Sequence, residues 1–194
     1  MQAAINPKLI SVSDLTLEDI PSILNYWYRS TPGFIESMGV DWSKMPTEDE
    51  FASGLRKKCI DNQSLPSSKL NALIVRYDQA GVGFHTINPL AEGEFGVFHA
   101  HFWDSKIRGR GLGLYTYATA CHIFIERFGL KRILFKTPVQ NVAALRVKEK
   151  LKIPYIGEEI INFGIYREGT VAKVFELLSD DARTKLAEFR VRQA

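Results

Sequence analysis

Cysteine is scarce in this chain: 194 residues hold two, Cys59 and Cys121. Two such residues supply neither a disulfide framework nor metal-ligand spacing, so no metal site is expected. Apolar runs are short as well. None approaches membrane-spanning length, and no membrane partner is expected. The first residues, Met1-Gln2-Ala3-Ala4-Ile5-Asn6-Pro7, lack a basic stretch followed by an apolar one. A secretory signal is therefore not expected, and a cytoplasmic location is. An excess of one charge sign is also missing. Lysine and arginine number 25 against 22 aspartate and glutamate, and the net +3 is too small to call for nucleic acid. Repeats, low-complexity tracts and linkers are absent, so residues 1–194 read as a single domain with room for a sizeable core.

What is present is a glycine-rich turn, Arg108-Gly109-Arg110-Gly111-Leu112-Gly113. It follows an apolar, aromatic strand-like run over 95–103. It precedes a helix-length segment, Leu114 to Phe128, with apolar residues at Leu114, Ala118, Cys121 and Ile125. Cys121 on that stripe reads as a buried thiol. Strand, glycine turn and helix start together present amide N–H groups to an anion. Lys106, Arg108 and Arg110 add charge that suits phosphate. The P-loop pattern fails because no lysine follows Gly113. The dinucleotide fingerprint fails because position 114 is Leu rather than Gly. The residual pattern, R-x-x-G-x-G, serves a tight strand-to-helix connection as readily as a ligand.

A second motif narrows the choice. A short strand-like run, Arg132 to Thr137, leads into a helical segment from Asn141 to Leu151 with apolar spacing at Ala144, Val147 and Leu151. Arg108, Gly111 and Gly113, followed at the right distance by Asn141, Ala144, Val147, Glu149, Lys150 and Leu151, resemble the paired signature of the GNAT superfamily of N-acetyltransferases. The likeness is good over residues 95–157 and extends elsewhere only in element order. The sequence around Lys148 looks closest to the ribosomal-protein N-terminal (Rim-like) branch.

The remaining elements read in order. Leu9 to Val12 is a strand. Thr16 caps a helix with Asp19 three residues on, and Ile20, Ile23, Leu24 and Trp27 share its face. Residues 30–46 form an irregular apolar connection, and Thr47 opens a helix to about Ile60. A Ser/Pro loop occupies 62–68. Two strands, 71–77 and 82–87, flank the hairpin signal Asp78 to Gly81, and Asn88 to Gly93 makes the next turn. Runs at 155–163 and 171–178 form a second hairpin, and Ser179-Asp180-Asp181 caps a terminal helix to about Val191. The fold class is α/β (α+β). The resemblance implies a mixed, mostly antiparallel twisted sheet of about seven strands flanked by helices, with central strands splayed. The C-terminal helix is an addition.

The resemblance implies transfer of an acyl group, usually acetyl, from coenzyme A to a primary amine, by direct attack in a ternary complex. The amides of Arg108, Gly109, Arg110, Gly111, Leu112 and Gly113 would cradle the pyrophosphate. Backbone groups around Phe102, Trp103 and Ile107 would hold the pantetheine arm, and Asn141 would contact it while also capping its helix. Lys148 stands where many members carry a tyrosine acid; a lysine there reaches phosphate or thiolate, or is solvated. Candidate proton acceptors are His99, His101 and Glu94. His99 and His101 share one strand face by alternation. The acceptor, a small-molecule or peptide amine, would be set by residues 27–42 and 162–169, with Glu36 and Asp41 as attractors of a cationic amine. Members are often homodimers. A non-catalytic acyl-CoA-binding or regulatory protein is the alternative, since the tyrosine is missing.

Overall fold

In this computed structural model, residues 5–64, 69–104, 106–162 and 164–193 are described. Residues 65–68 of the expected Ser/Pro loop, Phe163 of the expected late strand and Met1 to Ala4 lie outside them.

Strand alternation decides which side chains meet which layer. Along β4 (Phe95–Phe102), Phe98 turns toward α4 (Leu112–Phe128) and packs against Tyr117 and Phe124. His101 turns the other way, onto Tyr26 and Trp27 of α1 (Ile20–Tyr28) and onto Phe84. The same alternation repeats along β1 (Ile10–Asp14), β2 (Ala72–Tyr77) and β3 (Ala80–Ala91), so each face of the sheet carries a core, and a further cluster gathers Ile10, Val75, Val82 and Leu112. One face gathers Phe98, Tyr117, Cys121, Phe124 and Phe135. The other face gathers Ile23, Trp27, Cys59, Ile74 and Phe84 with α1 and α3 (Glu48–Ser64). Fully buried rings such as Phe124 and Phe135 contribute roughly 1.5–3 kcal/mol each by leaving water.

Capping fixes the helix starts. Asp19 Oδ2 accepts from both the Thr16 amide and its hydroxyl, and the Arg76 guanidinium holds Asp19 at 2.8 Å. Thr47 and Glu50 make the reciprocal pair that opens α3. After α4 come β5 (Arg132–Pro138), α5 (Val142–Lys150), β6 (Tyr155–Ile161) and β7 (Thr170–Leu178). These seven strands run in the order β6-β7-β5-β4-β3-β2-β1, antiparallel except for β4 beside β5, which α4 joins as a crossover.

Four expectations are corrected. The connection at 30–46 contains a short helix, α2 (Pro32–Glu36), started by a proline at its first position. β3 runs on to Ala91, because Leu90 and Ala91 still pair with Gly96 and Phe95 past a register shift. α4 starts at Leu112, two residues early, since the left-handed Gly111 caps it. The terminal helix, α6 (Ser179–Thr184), stops short. Beyond it, the Val191 amide bonds Thr119 Oγ1, and Arg192–Gln193 forms an eighth strand, β8, parallel to edge strand β1. An open sheet edge offers backbone partners that local helix propensity cannot match. Among the described residues, no helix is long and apolar enough to cross a membrane.

Candidate active site

The site begins where the central strands part. β4 and β5 pair only through Phe95–Val97 and Arg132–Leu134. Beyond that, β4 stays with β3 as far as Phe102, and β5 stays with β7 as far as Pro138. The gap leaves backbone groups facing an opening instead of a neighbouring strand. Two cavities meet there, sharing Met38, Ala100, His101, Tyr117, Asn141 and Ala144.

The larger cavity, about 560 Å³, runs beside the glycine turn. Gly111 caps α4 with φ of 95°, a conformation that costs any other L-residue roughly 1–2 kcal/mol. The first amides of α4 lack intrahelical carbonyls, as at every helix start, and the macrodipole favours an anion there. Gly113 lets α5 come close, because a Cβ on it would lie 3.1 Å from Val147 Cγ2. The cleft is long, flanked by cationic groups and ends in a helix start, which suits an extended phosphorylated molecule such as coenzyme A.

Of the residues expected around a cofactor, Phe102, Ile107, Arg108, Gly109, Gly111, Leu112, Gly113 and Asn141 border this cleft. The Arg108 guanidinium bonds the Phe102 carbonyl and stacks over Phe34, 4.5 Å from the ring centre, so it braces the turn against the strand end. Asn141 caps α5 by accepting from the Ala144 amide. Trp103 and Arg110 do not border the cleft. Trp103 donates to the Gly81 carbonyl and packs near Phe84, and the Arg110 carbonyl accepts from Ile5. Lys148 is also elsewhere. Arg146 and Lys150 take its place on the cleft wall, one helical turn apart on α5. That i, i+4 spacing was readable in the sequence, and Arg146 was missed.

The smaller cavity, about 350 Å³, lies on the α1–α3 face and holds His99, His101, Lys148 and Tyr166. His99 Nε2 lies 2.5 Å from the Asn88 carbonyl, which can only accept, so Nε2 carries the proton. Its Nδ1 lone pair then faces the Tyr166 hydroxyl at 3.5 Å. Burial lowers the His99 pKa, the Asn88 carbonyl opposes this, and the charge of Lys148 adds to the lowering. His101 is pushed down to about 3, chiefly by burial and then by its neighbours His99 and His85. It stays neutral, with Nδ1 3.1 Å from the Tyr26 hydroxyl. Lys148 is buried, with its ammonium over the Tyr117 and Phe135 rings at 5.1 and 5.6 Å. Burial brings its pKa down to about 7.

The segments expected to set the acceptor are brought together: Val40 pairs with Tyr166, and the Asp41 amide donates to Ile165 at 2.7 Å. The carboxylates expected near it are not. Glu94 sits on an exposed turn, 2.6 Å from Lys131. Glu36 pairs with Arg167 at the surface, and Asp41 turns back onto Ser43. No carboxylate side chain lines either cavity among the described residues.

A splayed pair of parallel strands, a glycine turn feeding a helix start, and two cavities that meet between them make up the site. Residues 31–152 match the model of the Acetyltransferase (GNAT) family, and the chain belongs to that family. Membership carries the general activity of the class, N-acetyl transfer with acetyl-CoA as co-substrate. No curated protein matches the sequence. Among solved structures, the chain is similar to a ribosomal-protein-S5-alanine acetyltransferase from Vibrio fischeri, at 14% identity and TM-score 0.69 over 93% of this chain and 98% of that one. It is similar to Mycobacterium smegmatis RimJ in complex with CoA-disulfide, at 12% and 0.69 over 98% and 94%. It is also similar to the Vibrio cholerae spermidine N-acetyltransferase in complex with CoA and spermine, at 14% and 0.68 over 91% and 99%.

Proposed function

We propose that the protein transfers acetyl from acetyl-CoA directly to a primary amine, both bound at once on opposite sides of the β4–β5 opening. The observation that carries this reading is the meeting of the two cavities at Ala100, Tyr117 and Asn141. A thioester laid along the larger cleft would present its carbonyl at that junction. The glycine turn, Arg146 and Lys150 would bind the phosphates, and strand amides released by the splay would face the developing oxyanion. On the other side, His99 Nδ1 carries the lone pair of a neutral imidazole and faces the Tyr166 hydroxyl, so the acceptor's proton would reach it by way of that hydroxyl or of a water. His101 acts by holding Tyr26.

The acceptor cavity is walled by Trp27, Phe51, Leu55 and Phe84, without a carboxylate among the described residues. A polyamine such as the spermine held by the Vibrio cholerae neighbour would find no counter-charge there. An amine with an apolar or aromatic body fits better.

The test is free-thiol release from acetyl-CoA against a panel of primary amines, with thermal shifts by coenzyme A, ATP and NAD alongside. Turnover with aromatic or apolar amines, and stabilisation by coenzyme A well beyond that by the nucleotides, is the expected result. Coenzyme A binding with no turnover on any amine would leave a binding protein and sink the reading.

A further inference from the structure

The protein keeps one lysine where a lysine is costly. Lys148 is 3% exposed, and no carboxylate pairs with it among the described residues. The groups facing it are Tyr117 and Cys121 from α4, Phe135 from β5 and His99 from β4, and Tyr166 and Lys136 line the same cavity. Burial raises the pKa of both the Cys121 thiol and the Tyr166 hydroxyl, so neither supplies a negative charge near neutral pH. Two aromatic rings partly stabilise the ammonium. Part of the time it stands neutral, and when charged its natural counter-charge is an anion that enters or forms in the cavity.

Acyl transfer from a thioester forms an anion at the junction of the two cavities, the leaving thiolate. Tyr117 borders both cavities, and Lys148 sits on its ring. We propose that Lys148 is the general acid of the transfer, giving its proton to the departing thiolate sulfur. This rests on the acyl-transfer reading above. The steps balance as follows. The acceptor ammonium first loses a proton to solvent by way of His99. The neutral amine forms the C–N bond at the thioester carbon, and collapse breaks the C–S bond. Lys148 protonates the sulfur, and the extra proton on the new amide nitrogen returns to Lys148. One ammonium and one thioester become one amide, one thiol and one released proton. A lysine titrating near 7 suits the task, being partly charged at rest and able to release its proton.

Lys148→Met keeps the length and suits an aromatic surround, whereas Lys148→Arg keeps the charge but cannot release a proton near neutrality. Both variants are expected to bind coenzyme A with wild-type affinity by calorimetry and to lose kcat by roughly 10²–10⁴-fold. With an acceptor whose amine is neutral throughout, wild-type kcat should fall as pH rises through about 7. A Met variant within threefold of wild-type kcat overturns the proposal. So does an Arg variant that keeps kcat, which would make Lys148 a fixed charge for an anionic acceptor. If neither variant folds, the wild-type profile decides, and a flat rate from about pH 6 to about pH 9 overturns it. Wild-type protein that binds coenzyme A yet acetylates nothing refutes the acyl-transfer reading instead.

Discussion

His85 shows what a single buried group does to the molecule's response to pH. Its ring is fully buried against Phe98, Phe102 and Tyr117, and neither nitrogen has a well-formed hydrogen bond among the described residues. Burial pushes its pKa down to about 3. The folded chain therefore holds it neutral, while the unfolded chain takes a proton as pH falls through about 6.5. The stabilisation is complete above that value and is lost on the way down toward about 3. The limiting slope is about 1.4 kcal/mol per pH unit. Thermal unfolding followed from about pH 7.5 to about pH 5 should show a steeper loss in wild type than in His85→Leu. Equal slopes would mean that water reaches the ring. At this scale the sequence was legible where alternation governs. It put His99 and His101 on one face, and both border the smaller cavity. It did not show that Glu94 is occupied by Lys131, because that contact joins residues 37 apart.

At the level of elements, α4 and α5 are set by their contact. Gly113 faces Val147 so closely that one methyl would already crowd it. Gly113→Val should displace α5 and destabilise the fold by roughly 1–3 kcal/mol, the usual cost of overpacking. It should also weaken coenzyme A binding, since Asn141 and Arg146 ride on α5. Calorimetry and denaturant titration check both, and unchanged stability would show that α5 yields freely. The helices themselves were legible through caps and apolar spacing, as with Thr16 and Asp19 or with Thr47. The tail was not. Ser179 to Val191 has the spacing of a helix, but β1 and Thr119 claim its end.

For the whole molecule, net charge says little and its placement says more. The chain carries only +3, yet Arg108, Arg146 and Lys150 border one cleft that no Asp or Glu lines among the described residues. Such a cleft concentrates potential on an anionic ligand. Replacing Arg146 and Lys150 together by Ala should weaken coenzyme A binding at least tenfold, since charged hydrogen bonds are worth about 1.5–3 kcal/mol each. The salt dependence of the dissociation constant should flatten as well. An unchanged constant at low salt would place the phosphates elsewhere.

By itself the sequence determined the glycine turn and the helix that Asn141 caps. The glycine turn and the Asn141 helix are local patterns, and local patterns act through backbone conformation and neighbouring residues that a sequence displays directly. The family and the order of elements follow from them. Only the tertiary structure decided the smaller cavity. The bridge from Val40 to Tyr166, the turning away of Glu36 and Asp41, and the burial of Lys148 without a carboxylate all depend on residues distant in sequence. Desolvation and long-range pairing set the chemistry there, and neither has a period that can be read along the chain.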